Sequence, residues 1–148
     1  MDFQIIKYQP QYKNQVISVW EKSVLATHHF LIEKDFLEIK ALLHDYDFEV
    51  LEMFCLIADH KIIGFIGIYQ SKIEMLFLDP DHIGKGLGRH LIDFAVTKQG
   101  ARLVDVNEQN TYAKTFYEKA GFQVYERTEK DDFGKDYPLL RMKLSESS

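Results

Sequence analysis

Two β-rich apolar runs, MFCLIAD (53–59) and KIIGFIGIYQ (61–70), flank the Asp59-His60 dipeptide with no room for a crossover between them. A parallel partner needs a connection of a dozen residues or more, so the two runs read as an antiparallel hairpin. This feature argues against a doubly wound parallel sheet, in which helices separate successive strands. A third run, KIEMLFLDP (72–80), follows directly and ends at Pro80.

On either side of this block the hydrophobic period changes. FQIIKY (3–8) is short, rich in β-formers and followed by Pro10, which suits an opening strand. From Tyr12 to about Leu25, the residues Val16, Ile17, Val19, Trp20, Val24 and Leu25 recur at helical spacing. A second helix is expected over Phe36, Leu37, Ile39, Ala41, Leu42 and Leu43, with Glu33 and Asp35 suited to its first turn. Beyond Pro80 a glycine-rich stretch opens a helix carrying Leu87, Leu91, Ile92, Ala95 and Val96. RLVDVN (102–107) reads as a strand and NTYAKTFYEKAG (110–121) as a helix, with Asn110 as its N-cap and Gly121 at its C-terminal end. FQVYERTE and YPLLRMKL close the chain as two strands around the polar loop KDDFGKD. The order β, α, α, β, β, β, α, β, α, β, β, without an internal repeat, predicts a single mixed α/β layer arrangement.

Composition limits the partners. With 148 residues, 46% hydrophobic and 3 prolines, the chain fits one domain spanning 1–148 with a core of its own. A formal net charge of −5 argues against broad contact with nucleic acid or an anionic membrane, which need a surplus of Lys and Arg. Cys55 is the one cysteine and lies in an apolar run, so it reads as strand core with no disulfide. MDFQIIKYQP has no basic segment leading into an apolar one, and no stretch is apolar over a membrane's width, so the expected location is cytoplasmic.

The stretch DHIGKGLGRHLIDFAV (81–96) is the candidate for chemistry. Gly84, Gly86 and Gly88 free the backbone to turn successive N–H groups toward an anion, and a helix starting near Leu87 adds its N-terminal amides and dipole. Lys85 and Arg89 add positive charge, so a pyrophosphate is a natural guest; the competing reading is a glycine-rich connection that merely packs closely. A Walker loop would need Lys and then Ser or Thr after its final glycine, and Gly86 is followed by Leu87 and Gly88. A dinucleotide fingerprint starting at Gly84 would need glycine at 89, where Arg89 stands. Asp105 nevertheless lies at a suitable distance to hold a ribose, which leaves a nucleotide-binding module as an alternative.

Over nearly its whole length, the element order and two motifs together resemble the GNAT N-acetyltransferase family, and within it small bacterial acetyltransferases. The family's acyl-CoA loop reads Arg/Gln-x-x-Gly-x-Gly/Ala after a strand ending in a Val-x-Pro-like corner. Here Leu78 and Pro80 stand at the corner and Gly86 and Gly88 at the two small-residue positions, while Ile83 replaces the expected Arg or Gln. The second motif, VDVNEQNTYAKTFYEKAGF, sets Asn110, Ala113, Tyr117, Gly121 and Phe122 on the family's positions. The resemblance implies an α+β fold with a mostly antiparallel central sheet flanked by helices. It also implies transfer of an acetyl group from acetyl-CoA to a primary amine of a small molecule or peptide, by direct attack in a ternary complex and without a metal. A homodimer stays open, and a catalytically idle acyl-CoA sensor is the alternative within the same fold.

The implied site residues follow. Cofactor contacts fall to Phe77 and Leu78 on the strand before the loop, to Ile83, Gly84, Lys85, Gly86, Leu87, Gly88 and Arg89 in it, and to Asn107 and Asn110 beyond it. A backbone N–H near Phe77 or Leu78 would meet the oxyanion, Tyr117 would serve the leaving sulfur, and Glu74 would accept the amine proton through water. Trp20, Thr27, His28, His29 and Phe30 are the candidate acceptor-pocket residues, joined by Ser23 and Tyr137; histidines there suit a base or a substrate hydrogen bond. Two histidines without further ligands at fitting spacing do not suggest a zinc site.

Overall fold

The computed structural model describes residues 2–145. Strand β1 (Phe3–Lys7) is followed by a single turn of 3-10 helix at Pro10–Tyr12, then α1 (Lys13–Thr27) and α2 (Glu33–Asp45). Three consecutive strands come next: β2 (Glu52–Ala58), β3 (Lys61–Tyr69) and β4 (Lys72–Leu78). After them stand α3 (Leu87–Gln99), β5 (Leu103–Asn107), α4 (Thr111–Lys119), β6 (Phe122–Thr128) and β7 (Leu139–Leu144). The observed order is the one read from hydrophobic period, with β7 starting after Pro138, which has no N–H to offer a ladder.

The strands form one seven-stranded sheet in the order β1-β2-β3-β4-β5-β7-β6. Every neighbouring pair is antiparallel except β4 and β5. Both two-residue hairpin turns, Asp59-His60 and Gln70-Ser71, hold their two residues at positive φ (52° and 63°, 47° and 68°), the conformation whose twist matches the flanking strands. The Asp59-His60 turn was expected; Gln70-Ser71 lacks the glycine or asparagine that signals such a turn.

Each sheet face carries its own core. On one face α1 lays Val16, Ile17, Val19, Trp20 and Val24 against Met53, Cys55 and Phe65. On the other, α3 presents Leu87, Leu91, Ile92 and Ala95 at three- and four-residue spacing to Leu56, Ile63, Ile66 and Ile68. Side chains as buried as Leu91 and Ile66 each contribute about 1.5–3 kcal/mol through removal from water, which anchors α3 and the loop that opens it.

Two irregularities shape β4. Its pairing with β5 is limited to Lys72 with Leu103 and Ile73 with Val104, after which the two strands part. Its pairing with β3 passes from Ile73 opposite Ile68 to Met75 opposite Gly67, so Glu74 is an extra, bulged residue. A regular strand would place Glu74 on the face of Leu76 and Leu78, as the sequence suggests. The bulge reverses that parity: Ile73, Leu76 and Leu78 pack on the α3 side, while Met75 and Phe77 pack on the α1 side.

Candidate active site

The parting of β4 and β5 leaves strand edges without partners inside the molecule. Asp79 N–H donates to Ile63 O at 2.7 Å, and counting by twos along the antiparallel ladder, Phe77 and Met75 also turn their amides to β3. Leu76 and Leu78 therefore direct their N–H and C=O groups into the gap. Of the two residues considered for an oxyanion donor, Leu78 has the free N–H and Phe77 does not. Unpaired backbone in such a place is suited to an extended ligand that pairs as a strand would.

At the end of β4 the chain turns through Pro80–His82 into the glycine loop. Gly84 (φ +88°) and Gly86 (φ +77°) both take the left-handed conformation, and a Cβ at either would meet open space, so the concavity is not filled by the protein. The first helical bond of α3 runs from His90 N–H to Gly86 O, which leaves the amides of the first turn free to face an anion. Gly88 has a different duty. A Cβ there would lie 3.1 Å from Phe116 Cζ and 3.3 Å from Leu78 Cδ1, so its bareness lets α3 approach both α4 and β4. Arg89 is held to Asp93 (3.0 Å) and to Lys119 O (3.3 Å), whereas Lys85 is exposed at the loop and Ile83 donates its N–H to Pro80 O. His82 Nδ1, just before the loop, is buried with no partner among the described residues.

Across the gap, α4 begins at Asn110, whose Oδ1 accepts from Ala113 N–H at 3.0 Å. That bond orients the amide, so Nδ2 faces His28 Nε2 at 3.4 Å. On the other side of the imidazole, Thr27 Oγ1 donates to Ser23 O at 2.7 Å and sits 2.8 Å from His28 Nδ1. With the hydroxyl proton already engaged, Nδ1 must be the donor and Nε2 the acceptor. Burial, with a smaller contribution from His29, pushes His28 down to about 4, which keeps the ring neutral near pH 7. His28 also faces Phe77, at 6.4 Å between ring centroids.

Tyr117 lies two turns beyond Asn110, buried against Phe116 and Phe122. Its hydroxyl has no hydrogen-bond partner among the described residues, and burial pushes the phenol well above 10.0, so it stays protonated. Asn107 closes β5 opposite Leu139.

A cavity of about 710 Å³ opens where α1, α2, β4, β5 and the loop before β7 meet. Trp20, His28, Phe30, Phe77, Asn107 and Tyr137 line it, and Glu74 reaches it because of the bulge. Loss of hydration pushes the Glu74 carboxyl up; Lys72 opposes this, and Asp105 and Asp132 add to it. Thr27 and His29 lie outside the lining: Thr27 holds the His28 ring from behind, and His29 is exposed. Residues not singled out in the sequence complete the wall, notably Tyr46, Tyr69, Lys72, Asp131, Asp132 and Phe133. Phe133 was the one legible hint, an isolated aromatic in the polar loop KDDFGKD. Asp105, considered for a ribose, is instead bound to Lys72 (2.5 Å) and Arg141 (2.6 Å). β5 is parallel to β4 on one side but antiparallel to β7 on the other, and β4 is itself antiparallel to β3, so the sheet is not the doubly wound parallel arrangement in which Asp105 would bind a nucleotide.

A split strand edge runs from the open glycine loop beyond β4 to a cavity lined by β4 and β5 themselves, an arrangement suited to an elongated anionic ligand and a second reactant. The sequence matches the profile of the Acetyltransferase (GNAT) domain over residues 10–145. This chain belongs to the GNAT acetyltransferase family. It is 38% identical over 128 residues to the peptidyl-lysine N-acetyltransferase YjaB of Salmonella typhimurium, an alignment covering 86% of this chain and 88% of that protein. Identity to the YjaB of Escherichia coli is 36%, over 86% of this chain and 87% of that one. The solution structure of apo YjaB from Escherichia coli superposes with a TM-score of 0.89 at 32% identity, covering 99% of this chain and 100% of the other. A coenzyme A complex of the PaiA N-acetyltransferase from Thermoplasma acidophilum shares the fold at a TM-score of 0.71 and 23% identity, covering 98% and 100% of the two chains.

As a GNAT enzyme the protein uses acetyl-CoA as co-substrate and transfers the acetyl group to an amine. The residues present fit that co-substrate: the cradle is unfilled, its amides are free, and the gap exposes unpaired backbone. Among the described residues no group of three or more His, Cys, Asp or Glu could hold a metal ion, and no helix is long and apolar enough to cross a membrane.

Proposed function

We propose that this GNAT enzyme acetylates the ε-amine of lysine residues in polypeptides. The observation that carries this reading is the cavity's charge: the carboxylates of Glu74, Asp105, Asp131 and Asp132 line it, against Lys72, paired with Asp105, and Arg141 behind the wall, paired with Asp105 and Asp132. A long cationic side chain fits such a wall, and the YjaB relatives are named for peptidyl-lysine.

Acetyl-CoA supplies an activated acetyl thioester, held in this proposal by the amides from Gly84 to Arg89, by the free edge of β4, and by Asn107 and Asn110. Glu74 takes the proton shed by the lysine ammonium, through water, and its upward shift brings it closer to the affinity a base needs. The neutral amine then attacks the thioester carbon in the pocket that the His28 ring lines, the ring held by Thr27 and Asn110. Leu78 N–H donates to the carbonyl oxygen as that oxygen gains charge. As the C–S bond breaks, Tyr117, kept neutral by burial, donates a hydrogen bond to the departing sulfur, which takes up the second proton shed by the nitrogen and leaves as the thiol.

Three acceptors test the assignment: a peptide with a blocked N-terminus and one lysine, the same peptide with that lysine replaced by alanine and its N-terminus free, and spermidine. Thiol release and the mass of the product are measured. Acetylation of the lysine peptide alone is the expected result. Acetylation of the free N-terminus or of spermidine, with the lysine peptide untouched, overturns it.

A further inference from the structure

The exposed part of the acceptor cavity combines apolar and acidic side chains. Its mouth carries Leu42 from α2, Val50 just after α2, Tyr69 at the end of β3 and Phe133 from the loop before β7, exposed by 55%, 58%, 45% and 71%. Glu74 and Asp132, both also exposed, add carboxylates to the same lining, Asp132 lying 3.2 Å from Arg141. Four large apolar side chains from separate segments, left in water around a single opening, mark a surface that another molecule covers.

The loop carrying Phe133 is already fixed. Asp131 Oδ1 accepts from Phe133 N–H (3.0 Å) and Lys135 N–H (2.9 Å), closing the turn on itself. Lys135 Nζ then reaches Asp35 and Glu38 at the start of α2, both at 2.9 Å, and Tyr137 donates its hydroxyl to Asp35. These bonds hold the Asp35 carboxyl below its ordinary range. The apolar mouth is therefore preorganised, which lowers the ordering cost of binding.

We infer that this mouth reads the residue next to the target lysine: the enzyme favours lysines flanked by a large apolar side chain, which seats against Leu42, Val50, Tyr69 and Phe133 while the ammonium passes the Glu74 carboxylate beside them. Charge complementarity selects the occupant. A polyamine, cationic along its length, would satisfy the carboxylates but leave the apolar side chains in water; a peptide with one lysine beside a leucine satisfies both. This inference rests on the peptidyl-lysine assignment.

The test compares two peptides with blocked N-termini and a single lysine, identical except that leucine or serine flanks the lysine, with acetyl-CoA saturating. The expected result is a kcat/KM roughly tenfold higher for the leucine peptide, the ratio for burial worth about 1.4 kcal/mol. In Leu42→Ser and Phe133→Ser that ratio falls toward one. Each ratio is internal to one preparation, so a loss of folded protein cancels from it. Equal kcat/KM on both peptides overturns the inference and leaves the lysine assignment standing, and a ratio that persists in both variants overturns it too. Acetylation of spermidine with neither peptide modified sinks the lysine assignment and the inference together.

Discussion

Lowering the pH should reveal His28 before any other part of the site. In the unfolded chain its imidazole titrates at its ordinary value of 6.5, whereas in the fold it is pushed down to about 4. Burial of the ring is the main cause, with His29 adding to it; the geometry agrees, since a second proton would go on Nε2, which already faces the Asn110 amide donor. Between the two values the unfolded state binds a proton that the folded state refuses. Stability from the neutral ring is thus fully present above the unfolded value and is lost as pH falls toward the folded one. The loss relative to neutral pH is about 1.4 kcal/mol at about pH 5.5 and about 3 kcal/mol at about pH 4. Urea unfolding can be followed by fluorescence of Trp20, the one tryptophan, which is buried and stacked on Phe36. Between roughly pH 7.5 and pH 5.5, wild type should lose about 1.4 kcal/mol more than His28→Gln, since all other titrating groups are common to both. Parallel losses in the two proteins would falsify the buried, neutral assignment of His28.

Three further perturbations follow from the same structure. Tyr117→Phe removes a hydroxyl without a partner among the described residues, so thermal stability should hold while kcat falls by roughly 10- to 100-fold; unchanged kcat removes Tyr117 from the chemistry. Gly86→Glu meets no atom at its Cβ and bears only left-handed strain of about 1–2 kcal/mol, yet it sets a carboxylate in the anion cradle. Calorimetry should show acetyl-CoA affinity lost from a folded protein, and retained affinity would move the cradle elsewhere. Ser71→Gly relieves a serine held at φ +68° in the β3–β4 turn, and the urea midpoint should rise by a gain of about 0.5 kcal/mol once the freer unfolded chain is counted; a lower midpoint would mean that the Ser71 side chain contributes more than its backbone strain costs.

Much of the fold was legible because it rests on local periodicity. The apolar spacing in α1 and α3, the Asn110 cap and the Asp59-His60 hairpin all act within a few residues, and the structure keeps each of them. The glycines were legible as a group but not by duty, since only the packing shows that Gly84 and Gly86 leave space and that Gly88 yields it to Phe116. The wall of the acceptor cavity was largely invisible. Tyr46, the Tyr69–Lys72 pair across the β3–β4 turn, and Asp132 come from three separate parts of the chain, and no local spacing relates the three.

Residue order alone, through hydrophobic period, capping and turn chemistry, settled the succession of strands and helices, the loop able to cradle an anion, and the motifs of a GNAT enzyme. Tertiary pairing decided the rest. The gap exists because β4 and β5 pair over only two positions, and Glu74 enters the cavity because one extra residue reverses the parity of β4. The state of His28 depends on Asn110, 82 residues away. Such features arise from register and long-range contact, which depend on how whole strands fit each other and leave no period in the sequence.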